Sequence, residues 1–281
     1  MKILKKDIIC KGGTKVNEDI ANINEYGAWV LDGATGLNGK NIMHEESDAK
    51  WFVTWWDEYI SKNICRAESL QIIVKRGIKL IKDEFFNFTG GQLSKLDFPS
   101  SSIVIIRWVD GYLEYFSLGD VALIIQNEEK NEIIMDHKIG KLDNKVFKAI
   151  EDLMNREKKT MIEAKGEIMD LIIDNRLLKN REDGYWILGF DERASDNGLY
   201  GKIKVRKNTK IFIGSDGFYA LGEKYNYLSM DELIKYVEKL GLDKLYNILR
   251  RIEEEDWDGK AYPRFKKNDD ASAIYLEFEK S

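Results

Sequence analysis

Two cysteines, two histidines and two prolines in 281 residues set the first limits on this chain. Cys10 and Cys65 lie far apart without CxxC spacing, which argues against a disulfide framework or a cysteine-rich zinc site; both read as buried thiols. With His44 and His137 as the only imidazoles, there is little material for a serine triad or a histidine-built metal site. Both read as surface residues and neither is assigned to catalysis. Linkers rich in proline, glycine or serine are missing, as are internal repeats, so residues 1–281 read as a single domain. No apolar run reaches membrane-spanning length, and Met1-Lys2-Ile3-Leu4-Lys5-Lys6-Asp7 lacks the apolar core of a signal peptide; the expectation is a cytoplasmic protein without membrane contact. A formal net charge of −5 gives no global attraction to nucleic acid. The local basic run 202–210 alternates with Ile203 and Val205 and reads as one solvated strand face.

The apolar residues fall into blocks of two periodicities. Residues 7–10, 20–23 and 27–31 read as short strands of an antiparallel meander. Phe52, Trp56, Tyr59 and Ile60, then Leu70, Val74, Ile78, Ile81 and Phe85, recur at helical spacing and predict two long amphipathic helices. The tryptophans at 51, 55 and 56 then read as helix packing rather than a ligand cage. Residues 103–109 and 112–118 are strands joined by Asp110-Gly111, a pair suited to the positive φ angles of a tight hairpin. Another strand covers 121–126. Helical spacing returns through Val146, Ile150, Leu153 and Met154 and again over 168–178, before 186–188 resumes a strand pattern. The polar stretch 190–201 reads as a mobile loop that could act as a flap. Strands at 203–205 and 211–213, two short helices over 230–255 and a last strand at 271–278 complete the chain. Blocks of strands with recurrent hairpin signals predict an α+β fold with antiparallel sheets flanked by helices.

Four acidic pieces stand at the ends or edges of these strands: Asn17-Glu18-Asp19, Asp32-Gly33, Asp216-Gly217 and Asp269-Asp270. Asp-Gly after an apolar run delivers a carboxylate where the strand leaves the core, and the glycine lets backbone approach a ligand. Each piece read alone is also an ordinary polar turn. If they meet in space, their mutual repulsion calls for a cation, and an all-oxygen cluster suits Mg2+ or Mn2+ rather than zinc.

Taken in order, Asn17-Glu18-Asp19, Leu31-Asp32-Gly33, Ser100-Ser101-Ser102, Leu118-Gly119-Asp120, Ser215-Asp216-Gly217 and Asp269-Asp270-Ala271-Ser272 resemble the protein phosphatase 2C family over nearly the whole chain. That resemblance implies a four-layer α-β-β-α sandwich with two central antiparallel sheets. It also implies a Mg2+- or Mn2+-dependent phosphatase that hydrolyses phosphoserine and phosphothreonine in proteins, by attack of a hydroxide bridging two divalent ions. Asp32 would bridge the ions, the Gly33 carbonyl would serve one of them, and Glu18, Asp216 and Asp269 would complete the pair. Asp19 would be a ligand or would hold a metal-bound water. Of Asp269 and Asp270, either of which could be the ligand, the family pattern favours Asp269. Asp120 matches the position that helps hold a weaker third ion in bacterial members, and is equally readable as a hairpin-turn residue. The implied partner is a phosphoprotein substrate, opposing a serine/threonine kinase and acted on by a monomer.

Two departures from the pattern concern phosphate handling. The arginine that grips phosphate in many members is replaced by Thr14, with Lys15 beside it as a candidate point charge lacking the bidentate fork. The histidine that follows Asp-Gly in many eukaryotic members is Ala34. These departures keep two alternatives open: a regulatory or binding module with little turnover, and a hydrolase of small phosphoesters. A Walker-like stretch, Gly36-Leu37-Asn38-Gly39-Lys40-Asn41, fails on spacing and lacks the hydroxyl residue after lysine.

Overall fold

The computed structural model describes residues 2–90, 93–128 and 130–279. Two antiparallel sheets form its centre. The first runs in the order β1 (Ile3–Lys11), β10 (Ala271–Phe278), β9 (Lys210–Gly214), β6 (Ala122–Gln126) and β7 (Asn131–Ile134). The second runs β2 (Asp19–Ile23), β3 (Gly27–Ala34), β4 (Ser100–Val109), β5 (Tyr112–Leu118) and β8 (Leu199–Lys204).

Strand periodicity explains why the central strands are apolar on every residue. In β3, Ala28 and Val30 enter the core between the sheets, whereas Trp29 and Leu31 face outward against helices. In β10, Ile274 and Leu276 point between the sheets, and Ala273 and Tyr275 point the other way. The outer face of the second sheet is covered by α1 (Asp48–Asn63) and α2 (Leu70–Thr89), started by the side chains of Ser47 and Ser69 accepting from Lys50 and Ile72 amides. Gly90, in the left-handed region at φ 58°, closes α2. The first sheet is covered by α7 (Asp216–Glu223), α8 (Leu233–Leu240) and α9 (Leu242–Glu255). Helix, sheet, sheet and helix thus make the four-layer α+β sandwich expected from the sequence.

Between β7 and β8 the chain inserts α3 (Lys138–Glu157), α4 (Met161–Glu167) and α5 (Met169–Leu177). These helices share a small apolar core of Val146, Ile150 and Ala164, against which Phe265 packs.

Four expectations need correction. Cys65 is exposed in the turn after α1, and Cys10 is half-buried on the edge strand β1. Residues 186–188 form no strand; β5 leaves β4 after Leu118, and only the isolated bridge Ser101↔Leu188 continues there. β7 was not anticipated, because its four residues include exposed polar positions that mask the alternation. The stretch 190–201 is not a free flap. Phe190 is buried against Phe85 with ring centroids 4.7 Å apart, residues Arg193–Asp196 form the short helix α6, and Leu199 onward belongs to β8.

Candidate metal centre

Antiparallel pairing places the start of one strand beside the end of its neighbour, and at one end of the sandwich several such junctions carry an acid. Asp19 opens β2 directly opposite Asp32 near the end of β3. Asp120 follows β5, where Gly119 adopts φ +79° to make the turn. Asp216 opens α7 just after β9, and Asp269 stands two residues before β10. Gly217 is required here, because a Cβ on it would fall 1.9 Å from the Asp270 carbonyl oxygen.

Glu18, Asp32, Gly33, Asp120, Asp216 and Asp269 line one cleft of about 420 Å³. An adjoining cavity of about 300 Å³ shares Asp120, Asp216 and Asp269. Asp19 lies beneath, 2% exposed, and its Oδ2 has no hydrogen-bond partner. Burial raises its pKa well above the usual carboxylate range, with Asp270 and Asp269 adding to the effect, and the hydroxyls of Ser215 and Ser272 offset only part of it. Asp32 is raised strongly as well, by burial and then by Asp19, Asp216, Asp120 and Asp269. Asp120 is pushed up to about 8 by burial and Asp216, although Ser102 Oγ donates to its Oδ1 at 2.6 Å. Asp269 rises to about 6 by burial and Asp216, moderated by Lys266 Nζ at 2.7 Å from its Oδ1.

The acids divide into those aimed at the cleft and those engaged by the backbone. Asp270 accepts from the amides of Gly13 at 2.8 Å and Glu18 at 2.9 Å, which ties the 13–18 loop to the start of β10. Asp269 lines the cleft, with its Oδ1 accepting from the neighbouring Asp270 amide at 2.8 Å and from Lys266 Nζ. Asp270→Ala is therefore expected to cost about 2–4 kcal/mol by orphaning two amides and untying the loop, measured as a lower urea midpoint. Glu18 Oε1 accepts from Thr35 Oγ1 at 2.7 Å and Ser47 Oγ at 2.6 Å, which draws it toward the N-terminus of α1.

Lys15 stands apart from this group. The amide ties at Gly13 and Glu18 turn the intervening loop outward, and Thr14 and Lys15 are both exposed and absent from the cleft lining. The cations that do line it are Lys165, Arg176 and Lys266. Arg176, on α5, reaches the loop after β3, with Nη1 3.5 Å from the Thr35 carbonyl oxygen. Asp143 of α3 also enters the cleft, its pKa raised to about 7 by burial and Asp216. Neither was found from the sequence, because only the docking of the inserted helices brings them here. Lys266 had a faint signal in its spacing of three from Asp269.

The donor set suits a hard divalent ion: oxygen ligands only, mutual repulsion, and a buried carboxylate oxygen without a donor. Among the described residues no three acidic, thiol or imidazole side chains converge tightly enough to hold an ion by themselves. Mg2+-type ions commonly take one or two carboxylates and keep several waters, so the arrangement fits such an ion.

Solved structures with this architecture include the Mycobacterium tuberculosis serine/threonine phosphatase PstP/Ppp, 11% identical, with a TM-score of 0.61 over 99% of this chain and 100% of that one. The chain has the protein phosphatase 2C fold. The catalytic domain of PstP in complex with two manganese ions is 12% identical, with a TM-score of 0.55 over 98% of each chain. The phosphatase MsPP from Mycobacterium smegmatis, in complex with cacodylate, is 12% identical with a TM-score of 0.56 over 99% of this chain and 100% of that one. No protein-family model and no curated protein matches the chain by sequence. The phosphatase 2C fold accounts for the acids meeting at one end, since each follows or precedes a central strand. Among the described residues, no helix is long and apolar enough to cross a membrane.

Proposed function

We propose that this chain is a Mn2+- or Mg2+-dependent phosphatase acting on phosphoserine and phosphothreonine in proteins, opposing a serine/threonine kinase. The observation that carries the reading is the convergence of acids from both sheets on one cleft of a phosphatase 2C fold. Asp32, Asp216 and Asp269 would hold two divalent ions, with Glu18, Asp19 and the Gly33 carbonyl in support and Asp120 serving a third. Such ions supply a water of lowered pKa and compensate charge on phosphoryl oxygens.

The protein's own cations complete the phosphate site. Arg176 lines the cleft with no carboxylate hydrogen bond among the described residues and only a 3.5 Å contact from Nη1 to the Thr35 carbonyl, so its remaining N–H groups can serve phosphoryl oxygens. It takes the place that the sequence pattern suggested for Lys15. Lys266 remains charged, because Asp269 raises its pKa against the opposing effect of burial. Arg176→Ala is expected to lower kcat/KM for a phosphopeptide roughly tenfold to hundredfold, with Arg176→Lys restoring only part of it. Equal activity in all three proteins would remove Arg176 from this role.

The decisive assay compares phosphoserine, phosphothreonine and phosphotyrosine peptides with and without Mn2+. Release of phosphate from the first two, lost on chelation, is expected. The exposed position of Lys15 favours one rival, a module that keeps the fold without turnover. Calorimetric binding of Mn2+ with no hydrolysis of any substrate would establish that rival.

A further inference from the structure

A second cavity, of about 490 Å³, lies near the C-terminal end of α5, and Arg176 lines both it and the cleft. Its walls are apolar, formed by Phe86, Phe98, Leu177 and Phe190. These belong to an aromatic group in which Phe98 and Phe190 stand 5.4 Å apart and Phe86 and Phe98 5.6 Å apart. Its polar lining is unbalanced. Lys82, Lys95, Arg176, Lys179 and Arg193 line it against only Asp191 and Glu192; burial lowers Lys179 to about 7 and the Arg176 fork serves the cleft, so Lys82 and Lys95 carry the surplus. Arg193 already occupies Asp191, with Nη2 2.6 Å from Oδ2. Lys179 Nζ donates to the Phe98 carbonyl oxygen at 3.0 Å, and no carboxylate pairs with Lys95 among the described residues. An aromatic pocket with surplus positive charge lacks one thing, a ligand that is both apolar and anionic.

We propose that this cavity receives a large apolar side chain and an adjacent carboxylate of the phosphoprotein substrate, and so selects which phosphorylated segments reach the cleft. The proposal rests on the phosphatase reading and adds a substrate class to it. Continuity sets a lower bound on the spacing. Ser100 lines the cleft and Phe98 lines the second cavity, two residues or about 7 Å apart along the extended chain. An extended substrate needs about two residues to span that distance, so two is the shortest separation of anchor and phosphorylated residue that these walls allow.

The test is kcat/KM of the Mn2+-loaded protein for matched phosphoserine peptides. One set carries Phe-Glu two residues before or after the phosphoserine, and the other carries Ala-Lys at the same places. An aryl phosphate too small to reach the cavity serves as control. Wild type is expected to prefer one Phe-Glu peptide about tenfold, the order of effect of burying one apolar side chain. Lys95→Glu, alone and with Lys82→Glu, is expected to cut that preference severalfold, by turning attraction for the peptide carboxylate into repulsion, while leaving aryl phosphate turnover unchanged; both lysines lie outside the cleft. Normal aryl phosphate turnover with peptides equal within about twofold would overturn the cavity assignment and leave the phosphatase reading intact. Loss of peptide and aryl phosphate turnover in equal measure in the lysine variants would also overturn it. Absence of any turnover by wild type would remove the phosphatase reading itself, and the proposal with it.

Discussion

Asp32→Asn is expected to reduce Mn2+-dependent hydrolysis of an aryl phosphate by about 10³-fold or more, with the folded structure retained. Asp32 is the acid most widely engaged with the others: Asp19, Asp216, Asp120 and Asp269 all act on its charge. It sits opposite Asp19 in register and opposite Ser102 on the other side, so the side chain is aimed by two strands at once. Asparagine keeps the shape and loses the charge that holds a divalent ion. Without metal the variant should melt no lower than wild type, because asparagine needs no protonation to be buried among the other acids. That pairing of lost activity with unchanged or raised melting temperature separates a ligand from a structural residue. Full activity in Asp32→Asn would refute the assignment of the centre.

Raising the pH from about 5 to 8.5 is expected to destabilise the metal-free protein by on the order of a few kcal/mol, lowering its melting temperature by about 5–10 °C. The sign follows from the direction of the shifts. Asp269, Asp143 and Asp120 are raised to about 6, about 7 and about 8 in the folded protein. Between the ordinary carboxylate range and these values, the folded state holds protons that the unfolded chain has released. Stability then falls as pH rises through the window, and the contribution of these three acids is gone above about 8. Saturating Mn2+ should flatten the profile at the alkaline end, where bound charge replaces bound protons. A melting temperature that holds steady or climbs between pH 5 and 8.5 without metal would mean that these acids do not share a buried site.

Much of the fold was readable because its strands and helices carry strong local patterns. The Asp110-Gly111 pair makes the expected hairpin with φ values of 50° and 80°, and Phe52, Trp56 and Ile60 fall on the buried face of α1. Elements with weak patterns were misread. Residues 190–201 are polar in composition, yet Phe190 anchors them in an aromatic core whose other members come from α1, α2 and the approach to β4. Polarity marks a loop only when no distant partner buries it.

The candidate centre divides along the same line. The sequence by itself determined that acids would stand at strand ends, since an apolar run followed by Asp-Gly specifies both the strand and its exit. It also determined antiparallel sheets flanked by helices, through blocks of strands with hairpin signals and helices apolar on one face, and the order of its acidic motifs implied the four-layer sandwich by resemblance to the phosphatase 2C family. Only the tertiary structure decided that Asp269 lines the cleft while Asp270 is taken up by two amides, that Lys15 is turned outward, and that Arg176 and Asp143 arrive from inserted helices. Those outcomes depend on contacts between residues more than a hundred positions apart, and local propensity carries no information about which of two neighbouring acids a distant amide will bind.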